Sequence, residues 1–195
     1  RTSLFDALST RLGLIGTTMI AASGDGGAYP CAGRKPTVQW PASSPSLLGV
    51  GGTRLSVNPA NNRVGEVAWN DFAWLSADQA GGATGGGFSS NYARPSWQRA
   101  PGLAAGSGRV VPDIAAHASR LPGWPVVVRV GRQSVWSRES GTSASAPLIA
   151  AELAAINSVN AGRGSRRIGF VNPELYRLAR LDSGVFFFDV VAGNN

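Results

Sequence analysis

The chain has 195 residues, 43% of them hydrophobic and only 15% charged, with 26 glycines and 12 prolines. That is one domain's worth of sequence with enough apolar material for a core, and it excludes disorder and coiled coil. The net charge is +7, yet the basic residues, nearly all arginine, are scattered singly, which excludes a nucleic-acid partner.

No apolar run approaches the roughly 20 residues of a membrane span. One cysteine, Cys31, and one histidine, His117, leave no internal disulfide and argue against a zinc site. The one local group of arginines, Arg163, Arg166 and Arg167, sits in a Gly/Ser-rich stretch and reads as solvated surface.

Residues 3–12 are expected to form an amphipathic helix, with Leu4, Phe5, Leu8 and Leu12 on one side, Ser3 as cap and Gly13 as stop. Leu14 to Ala22 reads as a buried strand interrupted by Gly16, ending in Ser23-Gly24-Asp25-Gly26-Gly27. A carboxylate thus stands in a glycine-rich turn at the carboxyl edge of a strand, where α/β sheets bind ligands. Taken alone, an Asp among glycines is an ordinary turn former.

Trp40-Pro41-Ala42-Ser43-Ser44-Pro45 reads as a turn-rich loop, Leu48 to Thr53 as a strand leaving it, and residues 64–69 as another. A small-residue loop, 76–87, runs on into Gly85-Gly86-Gly87-Phe88-Ser89. Glycines let a second backbone approach closely, which suits an extended peptide pairing with an edge. The competing reading is a flexible loop closed by a core phenylalanine.

Asp113 is expected to make structural hydrogen bonds, and His117, which follows Pro112-Asp113-Ile114-Ala115-Ala116, to lie at the end of a buried strand. Trp124 to Val130 and Gln133 to Trp136 read as a hairpin around Gly131-Arg132. It delivers the chain to Ser140-Gly141-Thr142-Ser143-Ala144-Ser145-Ala146-Pro147 and a buried helix, with Ile149, Leu153 and Ile156 on one face. Ser143 then lies at or beside a helix N-cap, where unpaired N–H groups point outward. A hydroxyl nucleophile with donors for an oxyanion is what acyl transfer needs, although a Ser/Thr run there is also an ordinary cap. Asn172 as cap and Pro173 at the first position start a last helix.

The run Ser140 to Pro147 resembles the nucleophile motif of the subtilisin-like serine peptidases, and Ala144-Ser145-Ala146-Pro147 is most similar to their sedolisin branch. Ser23-Gly24-Asp25 resembles the sedolisin turn, where an aspartate stands in place of the subtilisin asparagine. Pro41 to Pro45, Val50-Gly51-Gly52-Thr53, Gly85 to Ser89, the Pro95-Ser96-Trp97-Gln98 stretch and the tail from Phe186 are similar too, so the resemblance spans essentially all 195 residues. It implies an α/β, subtilisin-like fold with a mostly parallel central sheet flanked by helices. Residues 1–195 would then be part of a peptidase catalytic domain truncated at both ends.

The activity implied is that of a serine-carboxyl peptidase, an endopeptidase or tripeptidyl-peptidase, cleaving peptide or protein substrates at acidic pH in a secreted or lysosomal setting. Ser143 would be the nucleophile, with protonated Asp25 and the Ser143 N–H stabilising the oxyanion, and Gly85, Gly86, Gly87, Phe88 and Ser89 lining the substrate strand. Calcium is the implied cofactor. The matching ligands are the Asp189 carboxylate and the Val190 carbonyl, fewer than the six to eight oxygens calcium takes. An odd cysteine in such a setting implies that Cys31 pairs outside these residues.

In sedolisins a glutamate activates the serine and an aspartate one helical turn later orients it. Glu-x-x-x-Asp puts both carboxylates on one helix face, and such a base survives at acidic pH, where histidine is charged. The sequence contains no Glu-x-x-x-Asp: four residues beyond Glu66, Glu139, Glu152 and Glu174 stand Asn70, Ser143, Ile156 and Leu178. The pair is therefore expected upstream of residue 1, and residues 1–195 alone are expected to be inactive. Two alternatives stand beside this reading: a subtilisin whose histidine base is also upstream, and a pseudopeptidase binding module that never had the carboxylates.

Overall fold

The computed structural model describes residues 2–30, 35–73 and 82–195. In chain order these form α1 (Thr2–Leu14), β1 (Ile20–Ala22), β2 (Leu48–Val57), β3 (Arg63–Ala68), a 3-10 turn (Asp71–Ala73), β4 (Gly87–Ala93), β5 (Gly108–Val111), β6 (Ile114–His117), β7 (Trp124–Val130), β8 (Gln133–Glu139), α2 (Thr142–Gly162) and α3 (Asn172–Phe186). Cys31 and residues 76–81 of the expected 76–87 loop lie outside the described residues.

Sequence explains why β2 is central. Leu48 and Val50 are fully buried, while its glycines admit neighbours too close for any side chain. A β-carbon on Gly52 would lie 2.6 Å from Ala118 and 2.9 Å from the Trp69 ring. β2 pairs in parallel with β1 (Ile20 opposite Leu48) and with β6 (Val50 opposite Ile114), and antiparallel with β3. The expected mostly parallel central sheet is therefore present, with β3 as its antiparallel member. Two antiparallel ribbons, β4–β5 and β7–β8, stand beside it.

Alternation along the strands divides the core into two layers. Leu48 and Val50 pack with Ile149 of α2 and Val171, joined by Ile20, Ile114, Leu153 and Leu175. Ala21, Ala42, Leu47 and Val111 pack with Phe5 of α1, Met19 and Val38. Helices thus cover the sheet as expected. A buried ion pair ties these parts together: Arg109 and Asp113, both fully buried, bond at 2.7 and 2.5 Å. Asp113 also accepts the Gly49 N–H (2.8 Å), the Tyr176 hydroxyl (2.9 Å), Asn172 Nδ2 (3.1 Å) and Gln98 Nε2 (3.3 Å). The structural role expected of Asp113 is present, and burial beside its carboxylate pushes the Tyr176 phenol far up.

Five expectations need correction. α1 begins at Thr2 and runs past Gly13, so Ser3 is not its cap nor Gly13 its stop, and Leu4 and Leu8 on its expected apolar side are 67% and 50% exposed. Leu14 to Ala22 is not one buried strand: α1 runs through Leu14, the chain turns at Gly16 (φ +87°), and only Ile20–Ala22 pairs. Leu14 and Ile15 are 83% and 73% exposed. α2 is not a buried helix. Only Thr142, Ser145 and Ile149 are buried along it, while Ile156 and Val159 are 49% and 52% exposed. Asn172 does not cap α3; Val171 does, and the Asn172 amide is spent on the Leu47 carbonyl (2.9 Å) and Asp113. The tail from Phe186, for which the resemblance implies a strand and loop, forms no strand.

Candidate active site

β1 ends at Ala22, and the following turn is tied to two other parts of the chain. On one side it is laced to residues 83–85: Ala83 N–H donates to Asp25 O (3.0 Å), Gly85 N–H to Gly24 O (2.7 Å), and Gly27 N–H to Ala83 O (2.9 Å). On the other it meets the N-terminus of α2. Asp25 Oδ1 accepts both the Thr142 N–H (2.8 Å) and the Thr142 hydroxyl (2.7 Å), and Thr142 Oγ1 in turn accepts the Gly24 N–H (3.1 Å). Thr142 is fully buried, so one hydroxyl holds two segments together. Gly141 (φ +111°) caps α2, and a β-carbon there would lie 2.7 Å from Asp25 Oδ2; only glycine fits.

Ser143 is the second residue of α2 and is exposed. First-turn N–H groups have no intrahelical acceptor. Among the described residues the Thr142 N–H goes to Asp25 and the Ala144 N–H to Gly141 O (3.0 Å), which leaves the Ser143 N–H as a donor beside its own hydroxyl. An exposed hydroxyl, a helix N-terminus and a carboxyl one residue away are thus brought together. Asp25 is itself exposed, and its Oδ2 makes no hydrogen bond among the described residues.

The glycine run is only partly placed as expected. Gly85 is buried, and a β-carbon on it would collide with the Ser23 carbonyl; the close approach is made by the chain's own turn. Gly86 is half-buried, Gly87 is exposed at φ +135°, and Phe88 is 43% exposed opposite Val110. Phe88 is therefore not the core residue of the competing reading. Ser89 is not on the open edge: it is buried and its Oγ accepts the N–H groups of Asn91 (3.2 Å) and Tyr92 (3.1 Å).

Asp189 is exposed and Val190 half-buried in the irregular tail. Among the described residues no three His, Cys, Asp or Glu side chains gather into a metal-holding group. These donors alone do not fit calcium's shell. The tail instead crosses β3 and the glycine run, with Ala68 N–H donating to Ala192 O (2.8 Å) and Asn195 Nδ2 to Thr84 O (3.1 Å).

Sequence reading missed Thr142 as the pivot and Ser145 as an anchor. The Ser145 hydroxyl donates to the Ala116 and His117 carbonyls at 3.0 Å each, fixing α2 to β6. Both lie inside the motif that singled out Ser143, but which hydroxyls turn inward depends on the helix phase. His117 stands behind this anchor at the end of β6. Its Nδ1 accepts the Leu55 N–H (3.2 Å), and burial pulls its pKa down against the opposing pull of Asp71 and Glu66.

The chain is similar to known proteins. A family model described as "Subtilase family" matches residues 6–170. The chain is 39% identical to kumamolisin of Bacillus sp. (strain MN-32) over 93% of its own length and 31% of that protein's. It is 33% identical to sedolisin of Pseudomonas sp. (strain 101), over 92% of its own length and 30% of the relative's. The chain thus spans about a third of the length of these relatives. A solved structure of Pseudomonas sedolisin, a serine-carboxyl proteinase complexed with two molecules of pseudo-iodotyrostatin, superposes with a TM-score of 0.82 at 30% identity. That match covers 97% of this chain and 50% of the solved one. With a family model over most of its length and a solved sedolisin structure superposing over nearly all of it, the chain belongs to the subtilase family and, within it, to the sedolisins.

Proposed function

We propose that residues 1–195 form part of the catalytic domain of a serine-carboxyl peptidase, with Ser143 as nucleophile and Asp25 as an oxyanion-stabilising acid. One observation carries this reading: Asp25 is fixed by both the backbone and the hydroxyl of Thr142, the residue before an exposed serine at a helix N-terminus. Oδ1 is held as an acceptor, so a proton on Oδ2 is the one available for donation to an oxyanion. In the acylation step Ser143 Oγ attacks the peptide carbonyl, its proton passes to a base and then to the leaving amine, and the oxyanion rests against the Ser143 N–H and Asp25. That base is a carboxylate supplied from sequence outside these residues. The setting that suits it is acidic, secreted or lysosomal, and the substrates are peptides or proteins.

The test is a pH–rate profile of the full-length protein with Asp25→Ala and Asp25→Asn. Loss of one oxyanion donor lowers kcat by about 10²–10³ in Asp25→Ala. Asp25→Asn retains more activity than Asp25→Ala, because an amide donates at any ordinary pH. Two variants with wild-type kcat and an unchanged profile would reduce Asp25 to a turn residue. Residues 1–195 expressed alone should show no Ser143-dependent turnover; robust turnover would place the base inside them.

A further inference from the structure

The β7–β8 ribbon leads directly into the nucleophile segment, and its two faces differ. In the register Trp124–Glu139, Val126–Ser137 and Val128–Val135, one face turns toward the body: Trp124, Val126, Val128 and Ser137 are half-buried, and Trp124 Nε1 donates to the His117 carbonyl (2.9 Å). The other face, with pairs Pro125–Arg138, Val127–Trp136 and Arg129–Ser134, is exposed throughout.

A solvent face of an antiparallel ribbon is ordinarily polar. Here its centre is the Val127–Trp136 pair, 56% and 76% exposed, with Arg129 and Arg138 on either side. No salt bridge among the described residues engages Arg129, Arg132 or Arg138. An exposed indole between two uncompensated guanidinium groups is the composition of a recognition surface. It fits an extended segment that carries an apolar residue flanked by carboxylates.

We propose that this outward face is an exosite for acidic segments of protein substrates, holding them beside Ser143; this rests on the peptidase reading. Trp136 precedes Ser143 by seven residues, so at 3.3–3.6 Å per residue the two are at most about 25 Å apart. A substrate can therefore occupy both with a short connecting stretch. Charge complementarity of this kind selects partners and speeds encounter.

The binding test needs no turnover. Full-length protein carrying Ser143→Ala is titrated, at about pH 6 where carboxylates are ionised, with a fluorescein-labelled peptide rich in Asp and Glu around a central Leu. The acidic peptide should bind and its lysine-substituted counterpart should not. Trp136→Ser, and Arg129→Glu with Arg138→Glu, should each weaken binding at least about tenfold. In protein with an intact Ser143, the same variants should leave kcat/KM unchanged on a short peptide. They should abolish the gain from fusing the acidic segment to that peptide.

No binding of the acidic peptide, equal binding by the variants, or protection of Trp136 from oxidative labelling in the full-length protein would overturn the proposal. So would binding to phosphatidylserine vesicles in place of the peptide. An enzyme that binds the peptide as expected but lacks all peptidase activity would overturn the peptidase reading and, with it, the substrate role of the face.

Discussion

Replacing Ser143 by Ala in the full-length protein is expected to lower kcat on a chromogenic peptide by about 10⁴–10⁶, the loss seen when the nucleophile of a catalytic unit is removed. The neighbouring hydroxyls provide the control. Ser145 is buried and bonded to two carbonyls, so Ser145→Ala should cost about 1 kcal/mol of stability with far less loss of turnover. Ser143 is exposed, and no hydrogen bond occupies its hydroxyl among the described residues; its substitution should leave the melting temperature nearly unchanged. A Ser143→Ala protein with more than a few per cent of wild-type kcat would move the nucleophile elsewhere. If even wild type shows no turnover, the pseudopeptidase alternative gains the ground.

The largest expected loss of stability is at Asp113. Asp113→Ala would leave the Arg109 guanidinium fully buried without its counter-charge, and the Gly49 N–H and the side chains of Tyr176, Asn172 and Gln98 short of an acceptor. Breaking a buried pair by removing one partner costs about 3–5 kcal/mol, a large share of the 5–15 kcal/mol typical of a whole domain. Urea denaturation of the full-length variant should show a midpoint shifted far downward, or no folded baseline. The Glu174–Arg177 pair on α3 provides the contrast. Both partners are about half exposed, and although Arg177 holds the Glu174 carboxyl below its usual range, Glu174→Gln should hardly move that midpoint. Equal effects at the two sites would show that the buried network is dispensable.

What the sequence made legible follows from how local each signal is. Ser143 and the Asp25 turn could be read because a glycine-flanked hydroxyl run before a helix and a glycine-flanked acid after a strand are contiguous patterns. The β7–β8 hairpin was legible from its alternation around Gly131-Arg132. Leu14 and Ile15 misled, since apolar residues at a helix end look the same whether buried or, as here, exposed. Asn172 has the chemistry of a cap, but its amide serves acceptors 125 and 59 residues away, a choice that only tertiary structure makes. Gly85 was read as a place where a substrate backbone comes close, whereas the backbone that does so is the chain's own turn. The partner of Gly85, the Ser23 carbonyl, could not be named without knowing that residues 83–85 lie along the Asp25 turn.

The Thr142 pivot also bears on when the proposed site can come into being. Asp25 and Thr142 are 117 residues apart in sequence, and contacts of such separation form only after the intervening chain has been closed into a loop, which is entropically costly and slow. Until that loop closes, Asp25 and the N-terminus of α2 are not held together, and on the reading proposed above the nucleophile lacks the acid for its oxyanion. The proposed pair is assembled by topology, once β1 has paired with β2 and α2 has packed against both strands.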